Sequence, residues 1–203
     1  MPNKPNFRAY LALAVVCLFW GTSYFAIRIG VETFPPFLFS ALRQLTAGGI
    51  LLIGLKWTGS LKVTRQDIAN QAVPGVLMIA VGNGVISWCE RIIPSGLAAL
   101  ILSLIPIFVV LISYLLRYEQ QKPHPFVIIG LALGICGIGL IFRDNIRDLA
   151  RPDFSFGMLI AFGACMSWAL GTVLAKFKTR NSANILQNAA LQLFTGGTAL
   201  LIL

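Results

Sequence analysis

Apolar residues in this chain come in long blocks rather than alternating with polar ones. Seven such runs are present: Ala9–Ile27, Pro36–Leu55, Ala72–Cys89, Pro94–Leu116, Pro125–Phe142, Phe154–Ala175 and Ile185–Leu203. At 1.5 Å rise per residue, each is long enough as a helix to cross most or all of a ~30 Å hydrocarbon core. Only the second contains a charged residue, Arg43. Helices pair their own backbone groups, which lipid cannot do for them. The pattern predicts an all-α, polytopic membrane helix bundle of about seven transmembrane helices. The first run is too long for a signal peptide and lacks a small-residue cleavage site.

Composition agrees: 57% of the 203 residues are hydrophobic and 11% charged, against about 25% charged in an ordinary soluble domain. The net charge of +9 invites a nucleic-acid reading, which the distribution of charge answers. With a cytoplasmic N-terminus, inside loops hold ten basic residues: Lys4, Arg8, Lys56, Lys62, Arg65, Arg117, Lys122, Lys176, Lys178 and Arg180. Outside loops hold five: Arg28, Arg91, Arg143, Arg147 and Arg151. That bias is the positive-inside pattern, and it orients helices rather than building a nucleic-acid face. Cys17, Cys89, Cys136 and Cys165 all fall within spans, without metal-type spacing. They read as small packing residues, so neither disulfide, metal site nor cofactor is expected.

The chain also matches itself. At an offset of 148 residues, Cys17 falls on Cys165, Trp20 on Trp168 and Arg28 on Lys176. Leu38, Ala41, Gln44, Leu45, Gly48 and Gly49 fall on Leu186, Ala189, Gln192, Leu193, Gly196 and Gly197. Residues 9–55 and 157–203 share eleven identities in forty-seven positions. Leu and Ala recur by chance in apolar segments, whereas Cys-x-x-Trp and Gln-Leu-x-x-Gly-Gly on one offset carry weight. Five spans separate the copies, and five is odd, so the second copy is expected upside down in the membrane. Inverted repeats with a midplane site between them are a recurring plan of secondary transporters. Residues 9–143 then form a first five-helix repeat and residues 154–203 the first two helices of a second. Two complete copies would need roughly 300 residues, so the chain reads as one lacking three helices that transports nothing alone.

The segments FWGTSYFAIRIG from Phe19, PPFLFSALRQLTAGG from Pro35 and GNGVISWCERIIPSGLAALILSLIPIF from Gly82 resemble the drug/metabolite transporter superfamily, and within it the ten-helix EamA-type exporters. The likeness runs along nearly the whole chain. It implies two five-helix repeats, a cytoplasmic N-terminus and export of small metabolites or amino acids across the inner membrane. One departure is Gln44, where an aromatic commonly follows the arginine.

Arg43 is the strongest candidate for the transport path. Its burial mid-helix costs about 2.5–3.5 kcal/mol, against roughly 3–6 kcal/mol recovered from the apolar residues of its span. A charge kept at that cost faces a polar cavity or a partner; snorkelling to the headgroups, or a structural pair with Glu90, are the alternatives. Glu90 reads first as a solvated loop charge, with a titrating role or a meeting with Arg28 or Arg43 left open. Pro106 deprives the Leu102 carbonyl of its helical partner and predicts a bend, with the Ser103 hydroxyl available to compensate. Trp20 and Trp168 lie deep in their spans, and with Tyr24, Asn83, Ser87 and Trp88 could line an amphipathic cavity or simply pack the core. Gly130, Gly134 and Gly137, Gly48/Gly49 and Gly196/Gly197 predict close helix–helix packing.

An enzyme would need clustered titratable groups, and the only histidine, His124, sits in a loop between prolines. A retinal protein would need a lysine in the last span, and a receptor has no reason to repeat itself. A passive channel or facilitator remains an alternative to alternating access. The expected partners are a small-molecule substrate, amino acid or metabolite, and the lipid bilayer; a homodimer is left open, and no nucleic acid is expected.

Overall fold

The computed structural model describes residues 7–117, 125–143, 148, 150–179 and 184–203. Lys4, Tyr118, Glu119, Lys122, His124, Arg147 and Arg180 lie outside the described residues. The elements are helical: α1 (Phe7–Thr33), α2 (Pro36–Trp57), α3 (Arg65–Gly75), a π-helical segment (Val76–Gly84), α4 (Val85–Cys89), α5 (Ser95–Leu102), α6 (Ile105–Leu115), α7 (Pro125–Phe142), α8 (Pro152–Lys178) and α9 (Ile185–Leu200). Five stretches are long and apolar enough to cross a membrane: Ala9–Thr33, Pro36–Trp57, Arg65–Cys89, Ser95–Leu115 and Pro152–Lys178. The other two predicted runs are the helices α7 and α9. The 16 residues of α9 reach about 24 Å, short of a full crossing.

Local chemistry sets the boundaries. Pro36 opens α2, where its missing N–H is no loss. After α2, Gly59 takes φ 66°, a left-handed conformation natural to glycine. A reciprocal capping box starts α3: the Asp67 N–H donates to Thr64 Oγ1 at 3.1 Å and the Thr64 N–H to Asp67 Oδ2 at 2.9 Å. Pro74 removes a donor inside that helix, and directly downstream the backbone widens into nine residues of π-helix. The predicted bend at Pro106 is a full break at Ser103–Leu104 between α5 and α6. The Ser103 hydroxyl serves the Leu100 carbonyl at 2.6 Å, however, and not that of Leu102.

Two apolar clusters hold the bundle together. Ile86, Cys89, Ile93, Leu97, Ala98 and Ile101 pack against Phe154, Met158, Ala161, Ala164 and Cys165 of α8. Ala41 of α2 and Ile79 and Ala80 of the π segment meet Leu200 of α9. Outside these, large apolar side chains stand exposed along the helices, among them Leu18, Ile50, Leu133 and Leu159. Water would not tolerate so much contiguous apolar surface, and lipid does. Gly130, Gly134 and Gly137 meet nothing within 4 Å of an added Cβ. The predicted small-residue packing of α7 is therefore absent among the described residues.

The direction of the helices follows from their contacts. Along α2, Leu45 lies against Gly197 while Gly48 lies against Ala190, Leu193 and Phe194. Past the end of α2, the Lys62 N–H donates to Gln187 Oε1 at 2.9 Å, and Asn184 Nδ2 to the Ser60 carbonyl at 3.1 Å. Ascending α2 thus means descending α9, so the two are antiparallel. Helices α1 and α8 are opposed as well. Arg28, near the end of α1, reaches the carbonyls of Glu90 and Ile93, and Gly157, near the start of α8, packs on Ile92 and Ile93. The two segments that match at the 148-residue offset run in opposite directions.

Candidate functional site

Where α1, α2, the π segment and α8 converge, they leave a cavity of ≈ 230 Å³. Its wall combines Trp20, Ser23, Tyr24 and Ile27 of α1, Arg43 and Gln44 of α2, Asn83 and Ile86, Leu102 and Ile105 from either side of the broken helix, and Trp168 of α8. Five of the predicted residues, Trp20, Tyr24, Arg43, Asn83 and Trp168, come together here.

Arg43 neither snorkels nor hydrogen-bonds Glu90. Its Nη2 donates to Asn83 Oδ1 at 2.6 Å, a short charge-assisted bond. Behind it, Ser40 Oγ donates to Ser87 Oγ at 2.7 Å, and Ser87 Oγ donates to the Asn83 carbonyl at 2.9 Å. Ser40 and Arg43 lie one turn apart on α2, and Asn83 and Ser87 one turn apart on the facing segment. The two rungs fix the guanidinium against the π-helical stretch, and Arg43 lines the cavity. Asn83 itself sits in the π turn, the kind of irregularity that re-aims side chains at functional sites. Gly82, beside it, has Trp168 where a Cβ would stand, so glycine lets the Trp168 side chain approach this backbone closely.

The other candidates lie elsewhere. Ser87 is buried behind the cavity in the hydrogen-bonded ladder. Trp88 packs edge-on against Phe156, with centroids 6.5 Å apart. Ser103 and Pro106 occupy the exposed side of the helix break, while Leu102 and Ile105 reach the cavity in their place.

Glu90 is not the solvated loop charge expected from its position at a helix end. It is 0% exposed, and neither carboxylate oxygen has a hydrogen-bond partner among the described residues. A tight turn explains this: the Ile92 and Ile93 N–H groups both return to the Cys89 carbonyl, at 2.8 and 2.9 Å. The turn folds under Arg28 of α1 and Gly157 of α8. Arg28 bonds the backbone carbonyl of Glu90 and leaves the carboxyl alone. In this turn between the third and fourth spans, burial pushes the Glu90 carboxyl up, and the charges of Arg28 and Arg43 pull it down.

Ser23 and Gln44 are cavity residues that the sequence reading did not place among the candidates for the site. A signal for Gln44 existed, since it pairs with Gln192 in the internal match, and Gln192 Nε2 donates to Gln71 Oε1 at 2.7 Å within the bundle. Among the described residues no group of three or more His, Cys, Asp or Glu side chains could hold a metal ion.

An apolar bundle around an arginine-bearing cavity defines a polytopic membrane protein with an interior polar site. The EamA-like transporter family matches residues 7–143, and the chain belongs to that family. It is 35% identical over 170 residues to the uncharacterized inner membrane transporter YedA of Escherichia coli K12, covering 83% of this chain and 52% of that protein. It is 31% identical over 203 residues to the uncharacterized transporter YvbV of Bacillus subtilis, covering 100% of this chain and 64% of that protein. With YoaV of the same organism the identity is 26% over 196 residues, covering 96% and 66%. The chain therefore spans from about half to two thirds of the length of these relatives. No solved structure matches it. The family points to a membrane transporter rather than an enzyme.

Proposed function

We propose that this chain carries the substrate site of a carrier that exports small carboxylate-bearing metabolites or amino acids across the inner membrane by alternating access. The observation that carries the reading is the cavity. It lies between two opposed segments, and the matched tryptophans Trp20 and Trp168 both face it. The antiparallel course of α2 and α9, with Leu45 against Gly197 and Gly48 against Leu193, supports residues 9–143 as one repeat and 154–203 as the start of a second, inverted one.

Arg43 supports an anionic substrate, because a planar guanidinium recognises carboxylate by paired N–H bonds. The aromatic wall gives the rest of the molecule an apolar surface. At ≈ 230 Å³ the cavity falls below the ~300–1,000 Å³ typical of drug-sized ligands, which favours a compact metabolite.

The test is counterflow in inside-out vesicles from cells expressing the full reading frame, with radiolabelled amino acids and short carboxylates, with and without a proton gradient. Preloaded unlabelled substrate should accelerate uptake of label. Equal rates with and without preloading would support a passive channel instead. Orientation has its own check: reporter fusions near Ser60 should signal cytoplasm and fusions near Asp148 the exterior. The opposite pattern would overturn the cytoplasmic N-terminus.

A further inference from the structure

The two matched helix pairs are packed unequally. The second pair, α8 and α9, closes on the third span, Arg65–Cys89, from two sides. On α8, Trp168 lies where a Cβ of Gly82 would stand, and Gly171 meets Leu77, Met78 and the Pro74 carbonyl. Between them, Ser167 Oγ donates to the Leu77 carbonyl at 2.9 Å. On α9, Gln192 and Thr195 press on Gly75, and Gln192 Nε2 donates to Gln71 Oε1 at 2.7 Å.

Shifted back by 148 residues, these contact positions become Phe19, Trp20 and Ser23 on α1 and Gln44 and Ala47 on α2. There the same surface faces open space. Phe19 is 67% exposed and Trp20 59%. Ser23 and Gln44 line the cavity, and Ala47 lines an apolar groove along α2 with Leu42 and Ile50. Gln44 is only 8% exposed, yet among the described residues no hydrogen bond reaches its amide. Polar side chains inside a membrane ordinarily pair across helices, and lipid-facing tryptophans gather at the interfaces rather than at mid-span. Lipid tails would cover Phe19 and Ala47 and offer nothing to Gln44. A second copy would bring a third span already held by its own α8 and α9. The relatives are longer, this chain spanning 52% of one and 64% of another, so a protein of their length has further chain to supply.

We propose that Phe19, Trp20, Ser23, Gln44 and Ala47 form the docking face for a further membrane-spanning helix of the full-length protein, the inverted counterpart of Arg65–Cys89. The proposal rests on the inverted repeat and not on transport. The chemistry of the docking helix follows from the filled copy. It presents Gln or Asn to the Gln44 amide, as Gln71 does to Gln192. Four residues later it presents a small residue to Ala47, as Gly75 does to Thr195, because only a small side chain lets the backbones approach so closely. Docked there, the helix becomes part of the cavity wall.

Photocrosslinking of the full-length protein in its own membrane tests this, with p-benzoylphenylalanine placed at Phe19 and, separately, at Ala47. Mass spectrometry should place both adducts on one apolar span outside residues 1–203, within about one helical turn of each other. That span should carry Gln or Asn four residues before Gly, Ala or Ser. Adducts with lipid alone, with a second copy, or with residues 1–203 only would each overturn the proposal. So would a crosslinked span that lacks the amide. Phe19 is an exposed aromatic, so its probe stands as the test even where the Ala47 variant fails to fold. Loss of counterflow with both adducts in place would defeat the carrier reading alone.

Discussion

Arg43→Ala should lower counterflow by about two orders of magnitude while the protein remains folded and membrane-inserted. Among the described residues the guanidinium is the only cationic group in the cavity wall, so an entering carboxylate meets no second charge there to replace it. A hydrogen bond to a charged group contributes about 1.5–3 kcal/mol, and a factor of one hundred corresponds to the upper part of that range. Instability is not the cause to expect, because removing an arginine from mid-span eases insertion by about 2.5–3.5 kcal/mol. The substitution does strand Asn83, whose Oδ1 loses its 2.6 Å donor, but that group borders the cavity and water can reach it. Arg43→Lys should fall between the two, since it restores charge without the planar fork. Ser103→Ala, on the exposed side of the helix break, should transport at the wild-type rate. Unchanged counterflow in Arg43→Ala for every substrate found would remove the arginine from the mechanism.

How far the sequence reached depended on where the information resides. Helix existence was legible because lipid imposes a length and a hydrophobicity that composition records directly. The inversion was legible too, because Trp20/Trp168 and Gln44/Gln192 sit on one offset and an odd number of spans forces opposite directions. Arg43 announced itself by its cost in an apolar run. Other features depend on tertiary packing that local pattern does not encode. The burial of Glu90 comes from a turn closed over by Arg28 and Gly157, one on either side of it in the chain and both more than sixty residues away. The π-helical register of Val76–Gly84 follows Pro74, yet a proline alone predicts a kink and not a widened turn. Pro106 shows the same limit: a bend was legible, while the break at Ser103–Leu104 and the side of it that faces the cavity were not. The glycines divide similarly. Gly48 and Gly197 pack against a helix, while Gly130, Gly134 and Gly137 at equally suggestive spacing do not. Spacing states that a close approach is permitted; only a partner makes it occur.

That difference among glycines yields the largest expected effect on stability, at Gly196. A Cβ built there would fall on the Gly75 carbonyl and on Ile79. The carbonyl belongs to the backbone just ahead of the π segment and cannot swing aside as a flexible side chain can. Gly75 meets α9 in return, through Thr195 Oγ1 and the backbone of Gln192, so the two chains touch from both directions with no slack between them. Gly196→Leu must therefore drive α9 away from α3. Overpacking of this kind costs typically 1–3 kcal/mol, and with backbone as the obstacle the expectation is about 3 kcal/mol. Gly163→Leu on α8, where nothing lies within 4 Å, should change stability by less than about 0.5 kcal/mol. Thermal unfolding of the two variants in the same detergent compares them directly. The consequence extends to the site. Displacing α9 loosens Leu200 from Ile79 and Ala80 of the π segment, and that segment holds Asn83 against Arg43. Gly196→Leu should thus lose counterflow as well as stability, with no cavity residue touched. Equal unfolding temperatures for Gly196→Leu and Gly163→Leu would mean that α9 is not held against α3 as closely as these contacts require.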